Sequence, residues 1–429
     1  MRSDPDDTTD EPGPRRRRRT VTALRIATAT VAAAVLVVTG LGWAAHHELT
    51  TGILRSGALD VLTGGDRNSP HGDSNILLIG LDSRKDMHGN DLPAEFVTDE
   101  LHAGDSDAGG YNTNTLILLH VPGDGSRATA AAIPRDDYVD IPGYGKHKIK
   151  EAYGMAKADA DAELEEQDVT DPTEREQRSR DAGRRSTIET VQKLLRVPIE
   201  HFAEVNLVGF YDIAKALGPL EVCLNAPVDD AYSGANFPAG RQMLDPAQAL
   251  SFVRQRHGLD NGDLDRTRRQ QAFLTGVLRN LDSGGVFGSV SKMRALFDTV
   301  ESDVVVDDDL DPVGFASQAR NLTRGELDFY TLPIEGYATV DGQAVNIVDP
   351  NRMRAEVSRL FAGEGPLPTT TATTTTITPP PTSSATSSRP ARSGSHTTTA
   401  TGDTSTPLEA PPPEEPVAAD DSSGIPCVD

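Results

Sequence analysis

The chain has 429 residues and a formal net charge of −24, from 65 acidic and 41 basic side chains. This acidic balance excludes a nucleic-acid-binding surface spread over the whole protein, so any basic site has to be local. Two cysteines are too few for a disulfide-dense scaffold or a cysteine-rich metal site, although they could form one disulfide in an oxidising compartment. Few aromatics (5%) beside 29 prolines and 38 glycines indicate that part of the length is linker or tail.

The N-terminal region carries five consecutive arginines, Arg15 to Arg19, before an apolar run from Ile26 to Ala45. A helix of that length, rising about 1.5 Å per residue, just crosses the ~30 Å hydrocarbon layer of a membrane. We therefore predict a cytoplasmic basic leader (1–25) and a single transmembrane helix (26–45). The arginines should stay inside, which puts the rest of the chain on the extracytoplasmic side of the plasma membrane. A cleaved signal peptide is the alternative, because small residues end the run, but the run is longer than the usual ~7–15-residue signal core.

The middle of the chain alternates short apolar runs with helical patterns. Residues 46–74 are predicted to be a juxtamembrane stalk, and residues 75–365 a single extracytoplasmic α/β domain. The predicted strands are Asn75–Leu81, Thr115–His120 and Ala128–Ile133, and the predicted helices are Ser186–Leu195, Val208–Leu217, Pro246–Val253 and Arg266–Leu281. This alternation favours a sheet covered by helices on both faces.

Two segments of unusual composition accompany this domain. Residues 159–181 hold ten acidic and three basic side chains, which is typical of a solvated helical insertion. After Gly365, Thr, Ser and Pro dominate, and such a segment has too little apolar area to offset its chain entropy. Residues 366–429 are therefore predicted to be a disordered tail, either plainly flexible or O-glycosylated and threading the wall.

The segment from Arg254 to Gln271 is positively charged, unlike the chain as a whole, because it contains five arginines and three aspartates. The planar guanidinium fork suits bidentate binding of phosphate oxygens, so this segment indicates a phosphorylated ligand. Arg254 and Arg256 would share one side only on extended backbone, so the helix that starts at Asp245-Pro246 should end near Val253.

A second helix is expected to follow, with Asp263 as its cap. Arg266 and Gln270, four residues apart, then share a face and can converge with the two upstream arginines. A surface helix with ion pairs such as Asp265 with Arg269 is the alternative interpretation.

Three further candidates lie outside this segment. Asp82 and Arg135 come directly after predicted strands, where open α/β sheets place their ligands. Lys148 lies in a loop rich in glycine and lysine and offers one more positive charge.

These residues resemble the LytR-CpsA-Psr family of bacterial cell-envelope proteins. The resemblance covers about Asn75 to Leu281 and is strongest in LSFVRQR (residues 250–256) followed by DLDRTRRQQ (residues 263–271). Further matches are IPRD (residues 133–136), KIKEAY (residues 148–153) and VNL (residues 205–207).

The resemblance implies a membrane-anchored phosphotransferase. Such proteins move a glycopolymer from a polyprenyl-diphosphate carrier onto peptidoglycan and leave a phosphodiester link. The implied fold has a central mixed β-sheet with an elongated apolar pocket for the lipid, and the diphosphate lies at its mouth with Mg²⁺, or alternatively Mn²⁺. The implied partners are the carrier-linked polymer, the peptidoglycan acceptor and the membrane, with no nucleic acid.

Roles carry over by position in the family motifs. Asp82 would ligate the metal or accept the proton of the attacking hydroxyl, and Asp263 would orient the arginines. Contacts to the diphosphate would come from Arg135, Arg254, Arg256, Arg266, Gln270 and Lys148.

One motif departs from the family pattern. The family usually has Arg-Ser-Asp-Thr where this chain has Asn112-Thr113-Asn114-Thr115. Asn112 then stands where substrate is bound, and Asn114 where the metal is held. An amide oxygen can still ligate Mg²⁺, but the site loses one anion and one cation together. The substitution is expected to leave either a retuned site with a loosely held metal or a catalytically weak member.

The two cysteines, Cys223 and Cys427, fit an extracytoplasmic domain, and actinobacterial relatives end in a similar way. A disulfide that ties the chain end to the domain is expected on that resemblance, with two free thiols as the alternative. No Ser, Cys or His is assigned as a nucleophile, because phosphoryl transfer mainly requires positioning and charge stabilisation.

Two other functions stay open beside the transferase: a non-catalytic binder of anionic polymer or lipid, and a hydrolase that releases polymer phosphate to water. A membrane-bound transcriptional regulator is disfavoured, since the leader is too short for a helix-turn-helix domain.

Overall fold

The structure is a computed structural model. It describes residues 54–60, 69, 72–94, 96–100, 110–259, 263–284, 289, 292, 294–296, 298, 301–310, 327–367, 408–409 and 425–429, all within one compact unit. The predicted leader and transmembrane helix lie outside these residues. Within them, no helix is long and apolar enough to cross a membrane.

Among the described residues, seven strands form one mixed sheet, with both parallel and antiparallel neighbours. They are β1 (Leu54–Ser56), β2 (Ser74–Leu81), β3 (Thr113–Val121), β4 (Ala128–Ala132), β7 (His201–Val205), β12 (Val304–Asp307) and β13 (Leu327–Thr331), in the spatial order β1-β12-β7-β2-β3-β4-β13. The three predicted strands are β2, β3 and β4, and the predicted mixed sheet is confirmed.

Smaller strands and the helices surround this sheet. The strands are β5 (Tyr138–Ile141), β6 (Gly145–Lys148), β8 (Leu220–Leu224), β9 (Val228–Asp230), β10 (Ala235–Phe237), β11 (Gly240–Leu244), β14 (Gly336–Val340), β15 (Gln343–Ile347), β16 (Leu408–Glu409) and β17 (Cys427–Val428). The α-helices are α1 (Glu151–Glu166), α2 (Pro172–Leu195), α3 (Leu207–Leu217), α4 (Pro246–Arg254), α5 (Asp263–Ser283) and α6 (Pro350–Phe361).

Helices cover both faces of the sheet, because the central strands are apolar on both sides. On one face, Leu77 and Leu118 pack with residues of α1, α2 and α6. On the other face, Ile117 contributes to a wall that α3, α4 and α5 complete. These three helices form their own core with β8 to β11, around Phe252 and Phe273. The second group of helices is the one that positions the candidate site.

The folded domain begins before Asn75. Residues of the predicted juxtamembrane stalk form β1, which pairs in parallel with β12 from Leu54 opposite Val305 to Ser56 opposite Asp307. This pairing joins segments about 250 residues apart, so no local pattern in the sequence could reveal it.

The acidic segment 159–181 belongs to a helical hairpin formed by α1 and α2. Many of its carboxylates face solvent, as predicted, but Arg180 is fully buried, and its Nε donates to Glu176 Oε1 (2.7 Å). Next to it on α2, Arg184 forms a bidentate pair with the buried Glu204 of β7. The hairpin is therefore attached to the sheet by ion pairs and is not wholly solvated.

The C-terminal residues are attached to the domain. β17 pairs in parallel with β8, with Cys427 opposite Cys223, and the two cysteines form a disulfide with a Cα–Cα distance of 4.3 Å. The predicted bridge is confirmed, and neither of these cysteines is a free thiol. Of the predicted tail, residues 368–407 and 410–424 lie outside the described part of the chain.

Candidate phosphate-binding site

A cavity of about 510 Å³ lies between the sheet and helices α3, α4 and α5. Its apolar walls come from the sheet and from the three helices, including Leu78, Ile117, Val205, Phe210, Leu250, Val253, Phe273, Leu274 and Val277. Its polar lining includes Asp82, Asn114, Arg135, Arg254, Arg256, Arg266 and Gln270. Seven of the predicted site residues thus line one cavity, although they come from four separate stretches of the chain.

A β-bulge brings Asp82 and Asn114 together. The register between β2 and β3 shifts after Gly80, which pairs with Thr115, because Leu81 pairs with Thr113 and leaves Asn114 as the extra residue. Asn114 Nδ2 then donates to Asp82 Oδ2 (2.8 Å). A bulge of this kind re-aims a side chain at the end of a pairing. The two residues predicted as metal ligands therefore contact each other directly.

Arg135 lies three residues after the end of β4 and is 5% exposed. Its Nη1 donates to Asn114 Oδ1 (2.5 Å), and its Nε lies 3.5 Å from Asp136 Oδ2. Asp136 also pairs with Lys150 Nζ (2.7 Å) and lies 3.6 Å from Lys148 Nζ. Burial alone would raise the pKa of Asp136, but the neighbouring cations lower it, so this carboxylate stays charged behind Arg135.

The end of α4 presents two arginines to the cavity. Asp245 caps α4 with Pro246 at the first helical position, as the sequence indicates. Gln248 completes a capping box, and the helix ends at Arg254. Gln255 is extended (φ −55°, ψ 139°) and buried. Because side chains alternate on extended backbone, Arg254 and Arg256 both line the cavity while Gln255 points away from it.

Helix α5 contributes Arg266 and Gln270 from one face. Arg266 Nη2 donates to the backbone oxygen of Asn114 (3.2 Å), and Gln270 Nε2 lies 3.5 Å from the carbonyl oxygen of Val253. These contacts join α5 to the bulge and to the end of α4. Asp263 is the first residue of α5, and its side chain is outside the described part of the structure.

Behind the cavity, Arg269 connects three parts of the molecule. It is fully buried, its Nη1 donates to Gln255 Oε1, and its Nε donates to the terminal Asp429 (2.6 Å). Burial lowers the pKa of Arg269 to about 10, against the opposing effects of Asp265 and Asp429. The alternative interpretation of the sequence placed Arg269 in a surface ion pair with Asp265. In the structure, Arg269 is buried and holds Gln255, the residue between the two cavity arginines.

The positive charge of the mouth is partly desolvated. Burial lowers the pKa of Arg254, the positive charge of Arg84 adds to this effect, and the carboxylate of Asp82 opposes it. Glu204, another carboxylate in the wall, is neutralised by its bidentate pair with Arg184. An anion with two or more phosphoryl oxygens suits such a mouth, and an apolar chain suits the walls behind it.

Asp82 and Asn114 also bear on metal binding. One carboxylate and one amide oxygen match Mg²⁺, which usually takes one or two protein oxygens and fills its other positions with water and substrate phosphate. Among the described residues, no group of three or more His, Cys, Asp or Glu side chains could hold a metal without substrate. Asp82 and Asn114 could hold such a cation where a phosphate supplies further oxygen ligands.

Two predicted residues do not line the cavity. Lys148 lies in β6 beside Asp136, and the backbone oxygen of Asn112 accepts a hydrogen bond from the Asp82 N–H (3.1 Å). Both residues lie behind the site. Sequence reasoning gave no role to two residues that line the cavity, Asn206, which caps α3 through the Gly209 N–H (2.9 Å), and Tyr232. Asn206 could have been found from the Val205-Asn206-Leu207 family motif, whereas no motif in the sequence pointed to Tyr232.

Fold and site together define an α/β protein with an apolar cavity that opens at a cluster of arginines. The family model of the LytR_cpsA_psr family matches residues 56–360. The chain belongs to this family.

Similar proteins include the cell wall biosynthesis protein LcpA of Corynebacterium glutamicum, 42% identical over 80% of this chain. The match spans 66% of LcpA, slightly less than two thirds of its length. The polyisoprenyl-teichoic acid–peptidoglycan teichoic acid transferase TagU of Oceanobacillus iheyensis is 28% identical over 64% of this chain and 73% of its own. The crystal structure of protein gbs0355 from Streptococcus agalactiae shares the fold, with a TM-score of 0.50 and 20% identity over 68% of this chain and 87% of that protein.

Proposed function

We propose that this chain is a phosphotransferase of cell-wall assembly that moves a glycopolymer from a polyprenyl-diphosphate carrier to peptidoglycan. The observation that carries the proposal is a cavity in which apolar walls lead to Arg135, Arg254, Arg256 and Arg266. A lipid diphosphate has the same two parts, an apolar chain and a compact anion. The similarity to a protein named for polyisoprenyl-linked teichoic acid transfer supports this donor class.

In the proposed reaction, a hydroxyl oxygen of peptidoglycan bonds to the phosphorus that carries the polymer. The bond from that phosphorus to the oxygen of the lipid phosphate breaks, and the lipid leaves as its monophosphate. The proton of the hydroxyl passes to the Asp82 carboxylate. The arginines stabilise charge on the phosphoryl oxygens, so no covalent nucleophile is required.

A divalent cation would be held by Asp82 and Asn114 together with the diphosphate. Mg²⁺, when bound, supplies further neutralisation of the phosphoryl charge. The predicted anchor at residues 26–45 would hold the domain at the outer surface of the plasma membrane, where the carrier lipid and the wall meet.

The test uses the full chain with Mg²⁺, a polyprenyl-diphosphate-linked glycan donor and peptidoglycan, and follows lipid monophosphate and wall-bound glycan. We expect Arg254→Ala to lower the rate about 100-fold, because one preorganised charge at a transition state commonly contributes that much. Arg254→Lys is the matched control. It keeps the positive charge but loses the guanidinium fork, so its rate should lie between those of wild type and Arg254→Ala.

The products separate the alternatives. Lipid monophosphate without wall-bound glycan would indicate a hydrolase, and donor binding without turnover would indicate a non-catalytic binder. The proposal fails if wild type with Mg²⁺ releases no more product than Arg254→Ala.

A further inference from the structure

Two aromatic side chains stand together at the cavity mouth, beside the arginines. Tyr232 lies in the turn between β9 and β10, and its ring stacks on that of His257 with centroids 4.2 Å apart and an interplanar angle of 30°. Both residues line the cavity next to Arg256. The turn between β9 and β10 and the segment after α4 thus place a pair of rings at the same opening.

Both rings are exposed to solvent. Tyr232 is 77% exposed, the highest value of any large hydrophobic side chain in the described residues, and the His257 side chain is 62% exposed. So much exposure means that the rings contribute little to the core. Paired aromatic surface at the edge of a cavity is a feature of ligand-binding surfaces.

The position of the pair is fixed from below by Asp230. This buried carboxylate accepts hydrogen bonds from the Tyr232 N–H (3.0 Å) and from Ser233 Oγ (2.8 Å), and its Oδ1 lies 3.6 Å from His257 Nδ1. Burial alone would raise the pKa of Asp230, but these contacts and the Arg256 N–H lower it. A charged Asp230 therefore connects the backbone of Tyr232 and the ring of His257 to the backbone N–H of Arg256.

We propose that Tyr232 and His257 form a carbohydrate platform that binds the sugar ring attached directly to the donor phosphate. The inference rests on the proposed function and adds the part of the donor that the arginines do not contact. A sugar bonded to a phosphate held by Arg256 has to lie within a few ångströms of it, which is where the rings are. The C–H groups of a sugar ring are weakly positive and pack on the negative face of an aromatic ring.

The test compares two probes that differ only in the sugar, geranylgeranyl diphosphate and geranylgeranyl-diphospho-N-acetylglucosamine, by equilibrium binding to the full chain with Mg²⁺. We expect Tyr232→Ala to weaken binding of the sugar-bearing probe about tenfold, the equivalent of about 1.4 kcal/mol. Binding of the diphosphate without sugar should change less than about twofold, because the arginines remain. Tyr232→Phe, which keeps the ring face, should behave like wild type.

An equal loss for both probes, or no loss for either, overturns the platform while leaving the diphosphate site intact. If wild type binds neither probe, the proposed function fails as well. A soluble peptidoglycan fragment serves as a third probe; a loss confined to that fragment would overturn the assignment of the platform to the donor sugar. The melting temperature of each variant controls for folding and should not change, since Tyr232 is mostly exposed.

Discussion

At the residue scale, Asn114 shows how the loss of a charge is accommodated. Its amide connects two groups of opposite sign, because Nδ2 donates to Asp82 and Oδ1 accepts from Arg135. An aspartate here would put a second carboxylate against Asp82, and like charges so close need a cation or a proton between them. With asparagine at this position, the two side chains form a hydrogen bond and need neither a cation nor a proton between them.

Replacing the Asn114 amide with a carboxylate should strengthen Mg²⁺ binding. We expect Asn114→Asp to bind Mg²⁺ about tenfold more tightly than wild type, because a second negative oxygen ligand joins Asp82. The measurement is the rise in melting temperature with Mg²⁺ concentration, which should be larger for the variant. Asn114→Ala is the control and should show no such gain; equal Mg²⁺ responses in Asn114→Asp and wild type would contradict the assignment of a metal to this pair.

At the element scale, α5 links the site to the C-terminal strand. One face carries Arg266 and Gln270 at the cavity, while Arg269 on another face holds Gln255 and the chain end. Gln255 is the residue that keeps Arg254 and Arg256 on the same side. The direction of both arginines therefore depends on a buried guanidinium that does not line the cavity.

Removing that guanidinium should loosen the backbone between the two arginines. Arg269→Met keeps much of the volume but leaves the Gln255 side chain and the chain terminus without their donor, which should lower the free energy of unfolding by roughly 2–4 kcal/mol. Chemical denaturation measures this directly. The matched control is Arg279→Met, an exposed arginine on the same helix, where a change below about 0.5 kcal/mol is expected. Comparable losses in the two variants would show that Arg269 has no special structural role.

At the scale of the whole molecule, ion pairs join α1 to α2 and attach the hairpin to Glu204 of the sheet. Glu176 accepts from Lys157 Nζ (2.8 Å), Arg180 Nε (2.7 Å) and the Tyr111 hydroxyl (2.5 Å). Burial alone would raise the pKa of Glu176, but Arg180, Lys157 and Tyr111 lower it to about 2. A chain with a net charge of −24 thus keeps part of its acid inside the fold.

This network predicts a loss of stability in acid. Because the folded pKa of Glu176 (about 2) lies below its ordinary value of 4.5, its contribution is complete above about pH 4.5 and is lost as pH falls toward 2. The contribution is of the order of 3 kcal/mol. Urea unfolding at a series of pH values should show the free energy of unfolding of wild type falling more steeply across this range than that of Glu176→Gln. Parallel curves for the two proteins would contradict the assignment.

Much of the fold was predictable because its signals are local. The apolar runs of β2, β3 and β4 and the Asp245-Pro246 start of α4 depend on neighbours in the sequence, and the structure confirms them. The alternation of Arg254 and Arg256 about an extended residue is local as well. For the same reason, the family could be identified from contiguous motifs.

Other features depend on contacts between distant segments. No sequence pattern near Asn114 predicts the bulge that brings this residue into contact with Asp82. Likewise, no pattern near Leu54 predicts that β1 pairs with β12. The sequence by itself determined β2, β3 and β4, helices α3, α4 and α5, and the arginine-rich segment, because periodicity, capping and charge act within a few residues. Only the tertiary structure decided which side chains share the cavity, that Arg269 lies behind it, and that Tyr232 stands at its mouth, because those positions follow from the packing of the whole chain.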